Sequence, residues 1–326
     1  MILDDNSIMI LIIIIILLIL LYRIITAHLI IKTEAFESYK ILESQTIGEP
    51  KIAFLFLTYN NLKRPDIWNK FFAIDTKLAN ETKSIDNTSD YSNKFSIYLH
   101  AKDQDKITDI LLKDKHIPEH IDTCWGCANL VEANTLLMKA ALKDPLNKKF
   151  ILVSDSCVPI VTFDKLYKEL MKDDKSRINF WKDNKNFERY DQIIDPPFPR
   201  SEFKKHSGSG GIYNRMHSDL LVSNLDLFKT KWSKVHCTDE HYFGNILRVL
   251  DPNFKNNLDD RNTTFDMWQT DKISYANLNS DDIKPDNYIN IKKMSNKAID
   301  RLREHDFMLT RKIDKDTEID VNYILS

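Results

Sequence analysis

The sequence is short of cysteine, glycine, net charge and several familiar motifs, and each shortage excludes something. Only four cysteines occur in 326 residues, at Cys124, Cys127, Cys157 and Cys237. That is too few for a disulfide-built scaffold of this length. Cys124-Trp-Gly-Cys127 has the spacing of a redox motif or of half a zinc site, but no second Cys-x-x-Cys and no paired histidines complete a zinc set. These cysteines therefore read as buried or singly bridged. Three of the six glycines fall in His206-Ser-Gly-Ser-Gly-Gly211. No Gly-Lys-Ser/Thr follows, so this is not a P-loop but a turn, or backbone that a ligand approaches closely. The 46 Lys and Arg nearly balance 48 Asp and Glu, giving a net charge of −2 and no electrostatic case for a nucleic-acid partner. His-Glu-x-x-His is missing, which argues against a metal hydrolase built on His236, Asp239, Glu240 and His241. There is no internal repeat.

Aliphatic residues are abundant near the start. Residues 8–22 read IMILIIIIILLILLY without a polar interruption. Carried past Arg23 to residue 31, the stretch reaches the roughly 20 residues a spanning helix needs. It begins Leu3-Asp4-Asp5, without the basic start of a signal peptide, and no Ala-x-Ala cleavage motif follows. The expected organisation is a tail over 1–7, an uncleaved transmembrane anchor over 8–31, a polar stem over 32–50 and a catalytic domain over 51–326. Arg23, His28 and Lys32 follow the uninterrupted apolar run while Asp4 and Asp5 precede it, which by the positive-inside rule favours a cytoplasmic domain. Sequons at Asn80, Asn87 and Asn262 permit the lumenal placement instead.

Beyond the stem, strand and helix patterns alternate. KIAFLFLT over 51–58 is a continuous apolar run, as expected of a strand buried on both faces. Helix patterns follow over 65–74, 130–142 and 163–171, with strands over 95–100 and 150–153 between them. This predicts an α/β fold with a mainly parallel central sheet. Ligands in such sheets bind beyond the carboxyl ends of the strands, which singles out Thr58, Tyr59, His100, Ser154, Asp155 and Ser156. Further on, 179–181 reads as a short strand, 195–200 as a stiff proline-rich loop, and 219–228, 240–250 and 295–305 as helices. In the second of these, Thr238 is the expected N-cap, with Asp239 and Glu240 in the first turn at the positive end of the helix dipole. Two acids there can simply stabilise a helix start; the sharper reading makes Glu240 a catalytic base at the mouth of a cleft.

From about Lys51 to Lys312 the chain resembles the Core-2/I-branching β-1,6-N-acetylglucosaminyltransferase family, including its plant-type branch. An ordered set of blocks carries the resemblance. They are Ala53-Phe-Leu-Phe-Leu-Thr58 with Ile67-Trp68-Asn-Lys-Phe-Phe72, Phe95-Ser-Ile-Tyr-Leu-His100, Trp125-Gly126 with Leu130-Val131-Glu132-Ala133, Leu152-Val-Ser-Asp-Ser-Cys-Val-Pro159, Glu188-Arg189-Tyr190, Gly208-Ser209 and Asp239-Glu240-His241-Tyr242. The resemblance implies a GT-A-like, Rossmann-like nucleotide-sugar fold in a Golgi- or ER-type type II membrane protein. It implies inverting transfer, of N-acetylglucosamine from UDP-GlcNAc or of another sugar such as xylose or glucuronic acid, to a glycan or glycoprotein hydroxyl, or else an inactive glycan-binding relative. By position Glu240 is then the base. Thr58, Tyr59, His100, Trp125, Gly126, Ser154 and Asp155 fall on the donor side. Arg189, Tyr190, Ser209, Asp239 and Trp268 fall on the acceptor side. Two basic residues hold the diphosphate: Lys312, and either Lys292 or Lys293. The family needs no metal cofactor. Here Asp155 is followed by Ser and Cys, and the nearest Asp-x-Asp is Asp103-Gln-Asp105 in a charged stretch. Fixed lysines can neutralise a leaving diphosphate, although these residues leave a role for Mg²⁺ or Mn²⁺ open. The chain departs from the family pattern in three places. Four cysteines cannot reproduce the disulfides of the animal members. Trp268-Gln269-Thr270 stands where the family has Trp-x-Tyr. The Gly208-Ser-Gly-Gly211 block lacks the expected aromatic directly after Gly-Ser.

Overall fold

A computed structural model describes residues 13–20, 22, 23, 26, 47–77, 81, 91–182, 187–267, 281–285 and 290–326, with backbone only at 207–210. The chain divides into two units, Met1–Gly48 and Glu49–Ser326. In the first, residues 13–20 are helical and exposed, and Thr26 returns its hydroxyl to the Tyr22 carbonyl at 2.9 Å. Among the described residues no helix is long and apolar enough to cross a membrane. Most of the expected anchor, and the whole stem up to residue 46, lie outside the described residues, as do Trp268 and the sequons at Asn80 and Asn87.

The second unit is built on a six-stranded sheet. Its strands are β1 (Lys51–Thr58), β2 (Phe95–Ala101), β3 (Asn147–Ser154), β5 (Ser176–Lys182), β6 (Lys204–Asn214) and β7 (Leu258–Asp259), ordered β2-β1-β3-β6-β5-β7. β1 lies parallel to both β2 and β3, and β5 parallel to β7, while β6 runs against β3 and β5. The sheet is thus parallel in direction except for β6. In β1 the two faces alternate as a pleat requires. Ile52, Phe54 and Phe56 enter one apolar cluster, and Ala53 and Leu55 enter the other. Both faces are covered, which is why the run has no polar alternation.

Helix α1 (Pro65–Phe71) has Pro in its first turn and buries Ile67, Trp68 and Phe71. Trp68 meets Phe54, Phe56 and Phe72 at centroid distances of 6.0, 5.2 and 5.7 Å, and its indole N–H donates to the Cys157 carbonyl at 3.0 Å. The opposite face is covered by α2 (Asn129–Ala141) and α7 (Tyr242–Leu250), through Leu137, Met138, Phe243, Ile246 and Leu247. Helix α3 (Phe163–Met171) is capped by the Thr162 hydroxyl, and α4 (Phe187–Tyr190) is a single turn.

Three expectations change. The helix predicted over 219–228 is two helices, α5 (Arg215–Ser223) and α6 (Leu225–Lys231), because Asn224 turns its amide back onto the Leu220 carbonyl and ends the first. The glycine-rich stretch is not a turn but the interior of β6. A Cβ on Gly211 there would overlap the Tyr213 ring. The helix predicted over 240–250 starts late. Cys237 takes a left-handed φ of 49°, residues Thr238–Glu240 form a separate 3-10 turn, and α7 begins only at Tyr242. Thr238 is not its N-cap, since its hydroxyl bonds the Val235 carbonyl.

The rest of the chain brings distant residues back to the sheet. After α8 (Phe254–Asn257) come β8 (Thr264–Phe265), β9 (Ile283–Pro285), β10 (Ile291–Met294), α9 (Asn296–Glu304), β11 (Leu309–Thr310) and β12 (Ile313–Glu318). β11 pairs with β4 (Val158–Pro159), just beyond β3, and the Ile313 N–H bonds the Ser156 carbonyl at 2.9 Å. This seats residues 311 and 312 beside the end of β3. The Asn262 amide is taken up internally, donating to the His305 carbonyl and accepting from Asn179, so this sequon serves the fold.

Trp68→Ala in the full chain should cost about 3–5 kcal/mol, read as a lower urea midpoint at an unchanged slope. Trp68→Phe should cost clearly less.

Candidate active site

The carboxyl ends of the parallel strands form one edge. Leu57 pairs with His100 on one side and with Ser154 on the other, so those two residues are brought level, with Thr58 one residue beyond them. Thr58 is buried, and its carbonyl accepts the Lys102 N–H at 3.0 Å. Tyr59 is exposed, with the Lys102 ammonium 5.2 Å from its ring centre. His100 is buried and stacked on His120 at 4.8 Å. Burial and the neighbouring imidazoles pull it down to about 4. Its Nε2 accepts the Ile121 N–H at 3.2 Å, so a neutral ring carries its proton on Nδ1. The Ser154 hydroxyl lies 3.3 Å from both the Ser156 Oγ and the Cys157 Sγ.

Lys312 stands over this edge. It is half-buried, and burial and the adjacent Arg311 hold its ammonium below the ordinary lysine range against the opposing pull of Asp155. The order of the chain hides this pairing, since residues 155 and 312 meet only because β11 pairs with β4. Lys292 and Lys293 are both exposed on β10, and Lys293 faces Glu318 at 3.8 Å.

The turn Thr238–Glu240 carries the two carboxylates. Glu240 Oε2 accepts from Arg189 Nη1 at 2.5 Å and from Lys205 Nζ at 3.0 Å. Its other oxygen, Oε1, has no hydrogen-bond partner among the described residues. Burial works against ionisation here, but Lys205 and Arg189 together outweigh it and hold the carboxyl below its ordinary range. Arg189 also approaches His241 Nε2 at 3.1 Å. His241 is fully buried, is stacked on Phe203 at 4.5 Å, and turns Nδ1 to the Lys204 carbonyl at 3.1 Å. Nδ1 therefore carries the proton and Nε2 accepts from the guanidinium. Burial pulls this imidazole down to about 4, so it stays neutral beside the cation. Asp239 behaves in the opposite way to its neighbour. Burial first, then the Glu240 charge, push it up to about 7, and Arg311 only partly offsets this. Adjacent carboxyls with oppositely displaced titrations are a recurring mark of acid–base sites.

Not every expected residue is available for ligand. The Tyr190 hydroxyl donates to the Phe198 carbonyl at 2.6 Å and its ring packs on Phe203, so it shapes the wall of the site. Ser209 lies within β6, its side chain outside the description, and Trp268 is outside it altogether. Trp125 is 76% exposed and meets His236 edge-on at 6.2 Å; Gly126 beside it has φ 72°. Sequence reasoning missed Lys205, Arg311 and His241. Arg311 and His241 adjoin recognised residues, but nothing local marks Lys205. Among the described residues no group of three or more His, Cys, Asp or Glu is placed to hold a metal ion, and Asp103 pairs instead with Lys106 at 2.8 Å.

A second constellation is structural. Ser176 Oγ lies 2.6 Å from His217 Nδ1, and His217 Nε2 lies 3.0 Å from Asp251. The order is that of a hydrolase triad, but all three side chains are buried, and the Ser176 oxygen also accepts the Asn214 N–H at 2.9 Å. They tie β5 to α5 and the end of α7.

The sequence pattern of the Core-2/I-branching enzyme family matches residues 52–303. The chain belongs to this family. The match spans the strand-edge residues, Arg189, Lys205 and the Glu240 turn, and stops short of Lys312. The mixed α/β fold with its central sheet is consistent with a GT-A-like architecture. The chain is similar to Glycosyltransferase BC10 of Oryza sativa subsp. japonica, at 29% identity over 185 residues. That alignment covers 55% of this chain and 42% of the rice protein, so the chain spans less than half the length of this relative.

Because Asp239 titrates higher in the folded chain than in the unfolded one, the folded state holds the extra proton between about pH 4 and 7. Stability from this group is therefore present at low pH and lost as pH rises towards 7. Asp239→Asn should raise the melting temperature at pH 8 and lose that advantage towards pH 4. An equal shift at both pH values would mean that Asp239 is not perturbed.

Proposed function

We propose that this chain is an inverting glycosyltransferase that moves N-acetylglucosamine from UDP-GlcNAc to a glycan hydroxyl, with Glu240 as general base. The observation that carries the assignment of the base is the asymmetric use of its carboxylate. Arg189 and Lys205 both bind Oε2 and leave Oε1 open. An acceptor hydroxyl is a poor nucleophile at neutral pH, and a fixed carboxylate takes its proton as the bond to the anomeric carbon forms. Anchoring one oxygen orients the other, and the two cations keep it ionised.

The leaving diphosphate gathers negative charge on the opposite face of the sugar. Lys312 and Arg311, at the end of β3, are the fixed positive groups that receive it. This supports a reaction in which protein cations do the electrostatic work that a metal ion does elsewhere. Thr58, Tyr59, His100, Ser154 and Asp155 line the same strand edge, where nucleotides bind in α/β sheets. Arg189 and the Asp239–Glu240 turn stand on the acceptor side. A type II membrane protein anchored by residues 8–31 fits this reading, on the strength of the aliphatic run alone.

UDP release from UDP-GlcNAc, measured on the full chain with a panel of glycan acceptors, tests the reading. Glu240→Gln should abolish turnover while UDP still binds, and turnover should survive EDTA. Undiminished turnover by the variant would remove Glu240 from this role. Turnover of UDP-xylose or UDP-glucuronic acid in its place would reassign the donor, and binding without turnover would mark a glycan-binding relative. Lys205→Met should shift the acid limb of the kcat/KM profile to higher pH, because the loss of Lys205 raises the Glu240 carboxyl towards its ordinary range.

A further inference from the structure

Three of the four cysteines meet beside the Glu240 turn. Cys124 and Cys127 form a disulfide that encloses only Trp125 and Gly126. Cys124 is exposed and Cys127 half-buried, and the pair immediately precedes the 13-residue helix α2. Thiols at a helix N-terminus leave more readily as thiolates, and an exposed disulfide of this kind is the reducible kind.

A second, independent observation links this bridge to the carboxylates. The Cys237 N–H donates to the Gly126 carbonyl at 3.0 Å, from inside the disulfide loop. The Glu240 N–H in turn donates to the Cys237 carbonyl at 3.1 Å. Packing makes the same connection. A Cβ on Gly126 would stand 2.7 Å from His236 Cε1 and 3.5 Å from the buried Cys237 sulfur. With φ at 72°, Gly126 holds a conformation that other residues adopt only with strain. The four-residue ring thus fixes the carbonyl on which the left-handed Cys237, and the turn after it, are hung.

We propose that the Cys124–Cys127 bridge is a redox site that accepts electrons from a dithiol, and that its state sets the order of the turn carrying Asp239 and Glu240. In the step, two electrons and two protons pass from the dithiol to the bridge. The dithiol closes to its own disulfide, and Cys124 and Cys127 become free thiols. The opened loop no longer holds the Gly126 carbonyl, and the turn loosens. The consequence for activity rests on the glycosyltransferase reading above; the structural coupling does not.

The test is a graded dithiothreitol titration of the full chain. Mass spectrometry after alkylation reads the state of each cysteine, hydrogen exchange reads residues 236–243, and UDP release from UDP-GlcNAc reads turnover. Cys124 and Cys127 should become alkylated together. At the same midpoint exchange should rise at residues 236–243 but not in β1, and turnover should fall several-fold and return on reoxidation. The Cys124→Ser/Cys127→Ser double variant should show the raised exchange without reductant and give no further response to it. The proposal is overturned if both cysteines are thiols in the untreated protein, if reduction leaves exchange at 236–243 unchanged, or if the rise extends equally to β1. If no donor is turned over in either state, the function reading fails, and the exchange measurement still decides the coupling.

Discussion

Glu240 is a partly buried carboxylate, and the rest of the site is arranged around keeping it charged. Removing a carboxylate from water favours the neutral acid unless cations answer it. Two do, and they come from different parts of the fold: Arg189 from a short helical turn after β5, and Lys205 from the reversed strand β6. The neutral His241 beneath Arg189 accepts from the guanidinium without adding a competing charge. Burial weighs more on Asp239 and is only partly offset by Arg311 and Arg189, so adjacent acids in one turn acquire opposite displacements.

That arrangement depends on the sheet. The parallel register of β1, β2 and β3 brings His100 and Ser154 to one level, with Thr58 one residue beyond. The apolar residues of these strands bury both faces of the sheet. β6 completes the sheet in the opposite direction, and so carries Lys205 towards the turn before α7. The C-terminal strands add Lys312 by pairing just beyond β3. The strand-edge residues, Lys205 and Lys312 are thus delivered by backbone pairing.

Much of this was readable in the chain. The run KIAFLFLT announces a strand covered on both faces, Pro65 marks a helix start, and the strand-end rule finds Thr58, His100 and Ser154 without any relative. What failed was local propensity near the site. Thr-Asp-Glu before an apolar helix pattern reads as a capped first turn, but the left-handed Cys237 separates it from α7. The Gly/Ser-rich stretch reads as a turn, but it lies inside β6, where the pairing with β5 shifts register between His206 and Gly211. Both exceptions stand where backbone is shaped by tertiary contacts and not by its own residues.

The sequence by itself determined the class of fold, the family and the acid pair, because these reside in short patterns of polarity and residue type that survive in linear order. Only the tertiary structure decided which oxygen of Glu240 is held and which is open. It also decided that Lys205 is a partner and that Tyr190 is wall, and that Cys237 lies against the Cys124–Cys127 loop. These are contacts between residues many positions apart. They are fixed by strand pairing and packing, and no local pattern in the chain records them.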